Sequence, residues 1–283
     1  GQDRLSQIRQ RGVLRVAVEP QFVGLSFRQK PGESLQGLDI SYAEALAKHL
    51  GVRCEFMETP WDLCTERLFS SEKPGGTPAD IVISALPPDA GYAHVAYSEP
   101  YTYLHCVLAR RAGDASIQSW TDLSGKTLGI INDPAAFAVL DSLGVGTEPG
   151  SQVKLANLLA YSDQSRIHDC LANGLVDAFI VDLPIYHWAC SNPDSPWYGK
   201  IEILPGNLAQ QSYFYSMAVS ADAENASLLH EVNRFIHAFK ATPERERVER
   251  FWQGQVIHDT LNLSHLPGQL KGAEALLALN TAA

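Results

Sequence analysis

Acidic and aromatic side chains follow several predicted strands of this 283-residue chain. A carboxylate beside an aromatic ring suits a cation or an amine, because the carboxylate is a counter-ion and the ring face attracts positive charge. The stretch 83–101, ISALPPDAGYAHVAYSEPY, contains no Lys or Arg, and its prolines break the preceding strand. A loop of this kind often presents groups to a ligand. The candidate ligand-binding residues are Glu19, Phe22, Trp61, Ser84, Leu86, Tyr101, Asp133 and Asp182.

Other chemistries have no motif in the sequence. Nine histidines are scattered without an HxxxH or HxH pair, and neither GxSxG nor a P-loop occurs. We therefore expect no metal, no cofactor and no catalysis. The five cysteines lack metal-binding spacing. They form disulfides between Cys54 and Cys64 and between Cys170 and Cys190, or they pack as small hydrophobic thiols.

The composition and length limit the classes of protein to which this chain can belong. The net charge of −10 and the isoelectric point near 5.3 argue against nucleic-acid binding and are compatible with a cationic ligand. A hydrophobic content of 45% with 19% charged residues is ordinary for a globular protein. No apolar run reaches the roughly 18 residues of a membrane span. The length suits two lobes of about 100–150 residues each.

The first part of the chain alternates strands and helices. An apolar strand is predicted at 13–18, and a helix at 37–51 with Asp39 as its N-cap and Gly51 at its end. The remaining elements of this part are a strand at 52–58, an amphipathic helix at 61–70 and a buried strand at 79–84. This order is typical of a parallel sheet.

The alternation then repeats. Asp133 and Pro134 mark the start of a helix at 133–143, as N-cap and first helical residue. Strands are predicted at 104–110, 126–131, 153–158, 176–181 and 213–220, and helices at 162–174, 182–190, 221–241 and 243–254. Two α/β units in tandem result. Because open α/β sheets bind ligands at the carboxyl ends of their strands, the predicted site is the cleft between the two units.

Seven segments, in order, resemble a known family. The chain looks like the type 2 periplasmic solute-binding proteins, specifically the polar-amino-acid-binding family (family 3) of ABC importers. The resemblance covers most of residues 11–253 and leaves 254–283 unmatched. The segments are RGVLRVAV, LQGLDISYAEALAKHLGV, ADIVISAL, YSEPYTY, DLSGKTLGI, LANGLVDAFIVD and SMAVSADAENASLLHEVNRFI.

The resemblance implies an α/β, two-lobed type 2 periplasmic-binding-protein fold, each lobe a mostly parallel sheet flanked by helices, with the ligand cleft between them. Lobe 1 would comprise 1–105 plus 216–283, lobe 2 would comprise 106–215, and hinge strands near 103–110 and 213–218 would allow closure. It further implies a periplasmic monomer. The polar opening GQDRLSQIRQRG lacks a signal-peptide pattern, so we expect a processed or recombinant start.

Some of the family's ligand-binding positions match suitable residues in this chain, and others do not. The resemblance places the aromatic that stacks on the ligand at Phe22, a serine ligand at Ser84, and the aspartate that receives the α-ammonium at Asp182. The arginine that clamps the α-carboxylate falls on Gly91, and the accompanying threonine falls on Pro88.

The second half of the carboxylate site also departs from the family pattern. Where the family has Gly-Thr-Thr or a similar run after a strand of the second lobe, this chain has NDPAA at 132–136. Asp133 adds a negative charge and Pro134 lacks an N–H. A ligand carboxylate buried there would cost several kcal/mol. The sequence therefore predicts a ligand other than a standard α-amino acid held in the usual way.

Two functions remain open. The first is an extracytoplasmic solute-binding protein that delivers a small polar ligand, cationic or non-standard amino-acid-like, to an ABC permease. The second is a sensor or accessory module with a repurposed cleft, such as the ligand-binding domain of a membrane receptor or a partner of a quinoprotein dehydrogenase. Enzymes of this fold, such as a periplasmic dehydratase, resemble the binding proteins in retaining the carboxylate-binding arginine, which this chain lacks.

Overall fold

A computed structural model describes residues 2–71, 73–89 and 92–258 of the chain. Gly91 and most of the unmatched tail, 259–283, lie outside the described residues. The helices and strands, in chain order, are α1 (Arg4–Arg11), β1 (Val13–Val18), α2 (Leu38–Leu50), β2 (Arg53–Glu58), β3 (Ile81–Val82), β4 (Val95–Tyr103), β5 (Cys106–Arg111), β6 (Thr127–Ile131), α3 (Pro134–Leu143), β7 (Val145–Gly146), β8 (Val153–Lys154), β9 (Asn157–Tyr161), α4 (Asp169–Ala172), β10 (Ala178–Asp182), α5 (Leu183–Ser191), β11 (Ile201–Ile203), β12 (Phe214–Ser220), α6 (Ala226–Lys240) and α7 (Pro243–Gln253).

The strands form two five-stranded sheets and a small pair, β7–β8. The first sheet has the order β2-β1-β3-β12-β4 and the second has the order β11-β5-β10-β6-β9. The α/β architecture with two lobes is confirmed. The sheets are mixed rather than mostly parallel, because β12 runs antiparallel to β3 and β4, and β5 runs antiparallel to β10 and β11.

The chain passes between the sheets twice. It leaves the first sheet after β4 and enters the second at β5, and it returns through the segment between β11 and β12. The boundaries 1–105 plus 216–283 and 106–215, with hinges at 103–110 and 213–218, stay predictions. The carboxyl ends of β1 and β3 lie together, since these strands pair in parallel with Val16 opposite Ile81.

Helix ends follow the sequence in most places. Asp133 caps α3 by accepting a hydrogen bond from the Ala135 amide, as predicted. The prediction that Asp39 caps α2 is wrong, because Gly37 stands at that position. Asp39 is instead fully buried and accepts hydrogen bonds from the Tyr101 hydroxyl (2.5 Å) and the Ala85 amide (2.7 Å). It joins α2 to the sheet, and burial raises its pKa to about 7.

Two predicted helices are broken. Residues 61–70 form two short 3₁₀ turns, Trp61–Leu63 and Thr65–Leu68, because aspartate, cysteine and threonine in this run are weak helix formers. The helix predicted at 162–174 is reduced to a 3₁₀ turn and α4. There the His168 ring stacks on both Tyr186 and Trp197, and this packing outweighs local helix propensity.

One apolar cluster contains residues of both lobes. Phe27, from the loop after β1, packs on Trp188 of α5 with ring centroids 4.9 Å apart, and on Trp252 of α7 at 5.9 Å. All five cysteines are free thiols, so the two disulfides do not form. Among the described residues, no helix is long and apolar enough to cross a membrane.

Candidate ligand-binding cleft

The first-lobe wall of the cleft consists of Glu19 and Phe22, which follow β1, Trp61, which follows β2, and Ser84, which follows β3. The Glu19 amide donates to Ser84 Oγ (3.0 Å), and the Trp61 indole donates to the Ser84 carbonyl (2.8 Å). The Trp61 amide in turn donates to Glu19 Oε1 (3.2 Å). The rings of Phe22 and Trp61 meet edge to face, with centroids 6.4 Å apart. The wall is therefore internally hydrogen-bonded.

This wall is also largely buried. Glu19 is 7% exposed, Phe22 1% and Ser84 0%. Burial raises the pKa of Glu19, and the neighbouring carboxylates of Asp163 and Asp62 raise it further. Sequence reasoning brought these four residues together correctly, but their contact with ligand stays a prediction.

The loop after β1 closes this wall against the second lobe. Gly24 has φ +86°, and a Cβ atom built on it would lie 2.0 Å from the Pro184 carbonyl oxygen in α5. Only glycine fits such a close approach at a left-handed backbone conformation. With Gly24 against Pro184 and Phe27 against Trp188, the path toward Phe22 from this side is filled by protein.

The second-lobe wall is acidic and more accessible. Asp182 ends β10 and precedes α5, but its side chain does not cap the helix. It accepts a hydrogen bond from the Tyr215 hydroxyl (2.5 Å) and another from Tyr213. Burial raises the pKa of Asp182, and the two tyrosine hydrogen bonds oppose that shift. The carboxylate thus lies in a pocket of protein with neutral donors as its partners.

Asp133, at the start of α3, lies close enough to Asp182 for the two charges to interact. Its burial raises the pKa to about 7, and the Asp182 and Asp89 carboxylates raise it further, while the Ala135 amide lowers it. No Lys or Arg in the described part of the chain forms an ion pair with Asp133 or Asp182. A cation placed between the two carboxylates would relieve their repulsion.

A cavity of about 270 Å³ adjoins the acidic wall, between the two lobes. Two of its lining residues connect it to the carboxylates: the Ala135 amide donates to Asp133 Oδ1 (3.3 Å), and Tyr213 hydrogen-bonds to Asp182. The lining residues are Pro87, Pro88, Ala135, Ala138, Val139, Ser142, Ala209, Gln210, Gln211, Ser212, Tyr213 and Phe214.

Leu86 and Tyr101 lie elsewhere. Leu86 is 5% exposed and packs with Val82 and Tyr97 in the first lobe. Tyr101 is fully enclosed, with its hydroxyl on Asp39 and its ring against Tyr42 at 5.1 Å. This packing favours a structural role for both side chains.

Sequence reasoning missed Tyr213 and Tyr215. The signal was present, since residues two apart at a strand point to the same face, and here that face meets Asp182. It also missed Asp163, whose charge acts on Glu19 across the cleft. Glu19 follows β1 and Asp163 follows β9, so no local sequence pattern predicts that their charges interact.

Two lobes, mixed sheets and an interlobe cleft define a bilobal ligand-binding protein. Residues 14–255 match the family model of bacterial extracellular solute-binding proteins, family 3, and the chain belongs to this family. This confirms the resemblance drawn from the sequence segments.

Two relatives that are named for binding amino acids are similar to this chain. L-cystine-binding protein TcyJ of Escherichia coli (strain K12) is 28% identical over 63% of this chain and 62% of its own length. Arginine-binding extracellular protein ArtP of Bacillus subtilis (strain 168) is 25% identical over 80% of this chain and 81% of its own. The chain thus spans about six-tenths of the length of TcyJ.

The crystal structure of the ancestral amino acid-binding protein AncCDT-1, a precursor of cyclohexadienyl dehydratase, superposes with a TM-score of 0.69. It is 20% identical and covers 88% of this chain and 99% of its own. At this identity the similarity concerns the fold.

Proposed function

We propose that this protein is a periplasmic solute-binding protein that captures a small organic cation by hinge closure and delivers it to the permease of an ABC importer. The observation that carries the cationic ligand is the pair Asp133 and Asp182, which form no ion pair with Lys or Arg in the described part of the chain and which are hydrogen-bonded to Ala135 and Tyr213, two lining residues of an interlobe cavity. Family membership supports the transport role.

The acidic wall selects against carboxylates. A ligand carboxylate beside Asp133 and Asp182 would add a further negative charge to a partly desolvated site, and like charges there are strongly disfavoured. An ammonium group reverses the sign of each of these interactions. The stretch 83–101 supplies no Lys or Arg to compensate a carboxylate from the first lobe. TcyJ and ArtP are named for amino acids; this chain would differ from them in taking an amine without a carboxylate.

Closure would occur about the two crossings of the chain, after β4 and before β12. Tyr213, in the second crossing, and Phe214, the first residue of β12, line the cavity, so a movement there would change its width. We infer a binding role without catalysis and a monomeric protein. A sensory or accessory role has no support among the relatives named above.

Titration calorimetry with matched ligand pairs tests this proposal. The pairs are 2-phenylethylamine with phenylalanine and 3-methylbutylamine with leucine, which differ only in the carboxylate. In each pair we expect the amine to bind at least tenfold more tightly, and Asp182→Ala to abolish its binding. Binding of the amino acids or of carboxylic acids alone, unaffected by Asp182→Ala, would refute the proposal.

A further inference from the structure

The cavity beside the acidic wall is lined largely by apolar residues, and this lining indicates the shape and polarity of its ligand. Its lining includes Pro87, Pro88, Ala138, Val139 and Phe214, which present apolar surface. The remaining lining side chains are neutral amides, hydroxyls and alanines, and none of the lining residues is charged. An apolar group gains about 25 cal/mol for each Å² that it buries on such a surface.

The charged end and the apolar space are contiguous. Ala135 contributes to the cavity lining and donates its amide proton to Asp133, while Tyr213 contributes to the lining and hydrogen-bonds to Asp182. A cation held by the two carboxylates therefore stands at the edge of the cavity, and whatever is attached to it has that cavity to enter.

The body of the ligand cannot extend toward Phe22, because protein fills the space on that side. Phe22 is 1% exposed, and the Gly24 backbone lies against the Pro184 carbonyl. The cavity that Ala135 and Tyr213 line is then a space that the body of the ligand can enter. A volume of about 270 Å³ corresponds to the small end of ligand pockets, which suits a compact molecule.

We propose that the cavity lined by Pro87, Pro88, Ala138, Val139 and Phe214 binds the apolar body of the ligand, which is a monoamine with one short hydrocarbon chain or ring. This inference rests on the proposed amine-binding function. It excludes diamines and guanidinium compounds as the preferred ligands, because their second charge would enter a cavity whose lining holds no counter-ion.

A chain-length series tests the inference. Calorimetric titration with n-alkylamines from methylamine to hexylamine is expected to show affinity rising two- to fourfold for each added methylene. The matched control is 1,6-diaminohexane, which has the length of hexylamine plus a second ammonium group and should bind at least tenfold more weakly than hexylamine.

A substitution in the cavity lining tests whether the hydrocarbon chain of the amine binds there. Ala138→Phe places a ring in the cavity from an exposed position of α3, so the helix can accept it. We expect this variant to lose at least tenfold in affinity for hexylamine and to leave methylamine unchanged. Ala115→Phe, in an exposed loop outside the cavity lining, is the control and should match the parent protein for both amines.

The outcomes separate the two proposals. Equal affinity across the series, hexylamine binding that is insensitive to Ala138→Phe, or 1,6-diaminohexane binding as well as hexylamine would overturn the apolar cavity while amine recognition stands. Binding of carboxylates with no amine bound at all would overturn both.

Discussion

The two walls of the cleft are built from similar residue types and differ in what surrounds them. On the first-lobe wall, Glu19 and Ser84 are bound to one another and to Trp61 and are almost fully buried. On the second-lobe wall, Asp133 and Asp182 keep part of their surface and adjoin a cavity. A carboxylate that the fold buries almost completely holds structure together, whereas a crowded carboxylate that keeps part of its surface is available to a ligand.

The difference follows from chain topology. The first wall is assembled at the ends of three parallel strands, where backbone amides reach the side chains directly. The second wall is assembled from β10, α3 and the returning segment before β12, which meet at their ends. The cavity lies beside this wall, between α3, the two prolines at 87 and 88 and the segment 209–214.

The contact that closes the first wall can be broken by Gly24→Ala. The new Cβ atom would meet the Pro184 carbonyl oxygen at 2.0 Å, so the loop or α5 must move. We expect the free energy of unfolding in urea to fall by about 3 kcal/mol or more. Gly32→Ala is a matched control, because Gly32 has the same φ of +86° with no atom within 4 Å of the added Cβ. It should cost about 1–2 kcal/mol, and equal losses in the two variants would refute the interlobe contact.

The crowding of the second wall is tested by Asp133→Asn. The folded pKa of Asp133 is about 7, above its ordinary value of 3.8, so the folded state binds this proton more tightly than the unfolded chain. The contribution of Asp133 to stability therefore falls as the pH rises from about 4 to 7. Asparagine still caps α3, so the variant should be more stable than the parent by about 1–3 kcal/mol at pH 8, with a smaller gain at pH 4.

For Asp163→Asn we expect the opposite dependence of stability on pH. Hydrogen bonds from Ser165 hold the pKa of Asp163 below its ordinary value, so its contribution is present above pH 4 and is lost as the pH falls. Thermal melts at pH 4 and pH 8 should show a small loss for this variant at pH 8, below about 1 kcal/mol. A destabilised Asp133→Asn protein at pH 8 would contradict the account of the acidic wall.

Amine affinity should depend on pH through the same wall. Asp133 faces Asp182, Asp89, Tyr92 and Tyr213, and burial among them gives it a pKa of about 7. An ammonium ligand needs the ionised form, so affinity should rise about tenfold between pH 6 and pH 8. Calorimetry of 2-phenylethylamine at three pH values measures this slope. Asp133→Asn should flatten it, and an unchanged slope in that variant would assign the titration to another group.

The smallest expected effect comes from the first wall. Trp61→Phe removes the indole donor to the Ser84 carbonyl and keeps the ring contact with Phe22. The free energy of unfolding should fall by about 1 kcal/mol, with amine affinity unchanged. A large loss of affinity in this variant would show that the two walls share the ligand.

The order of strands and helices could be predicted from the sequence, since apolar runs and capping residues such as Asp133 are local signals. The position of Asp39 could not be, because its partners, Tyr101 and Ala85, come from 62 and 46 residues away. The same limit applies to the site. The acidic residues were found from their strand ends, while the tyrosines on Asp182 and the contact of Gly24 with Pro184 depend on how the lobes meet.

We propose that the second-lobe wall, rather than the first, recognises the ligand. The most direct test is the affinity for 2-phenylethylamine of two variants, Asp182→Asn and Phe22→Leu, each first confirmed as folded by circular dichroism. We expect Asp182→Asn to lose at least about a hundredfold, as removal of one member of a buried charge pair does, and Phe22→Leu to remain within about threefold of the parent. Strong loss in Phe22→Leu with unchanged affinity in Asp182→Asn would contradict the account.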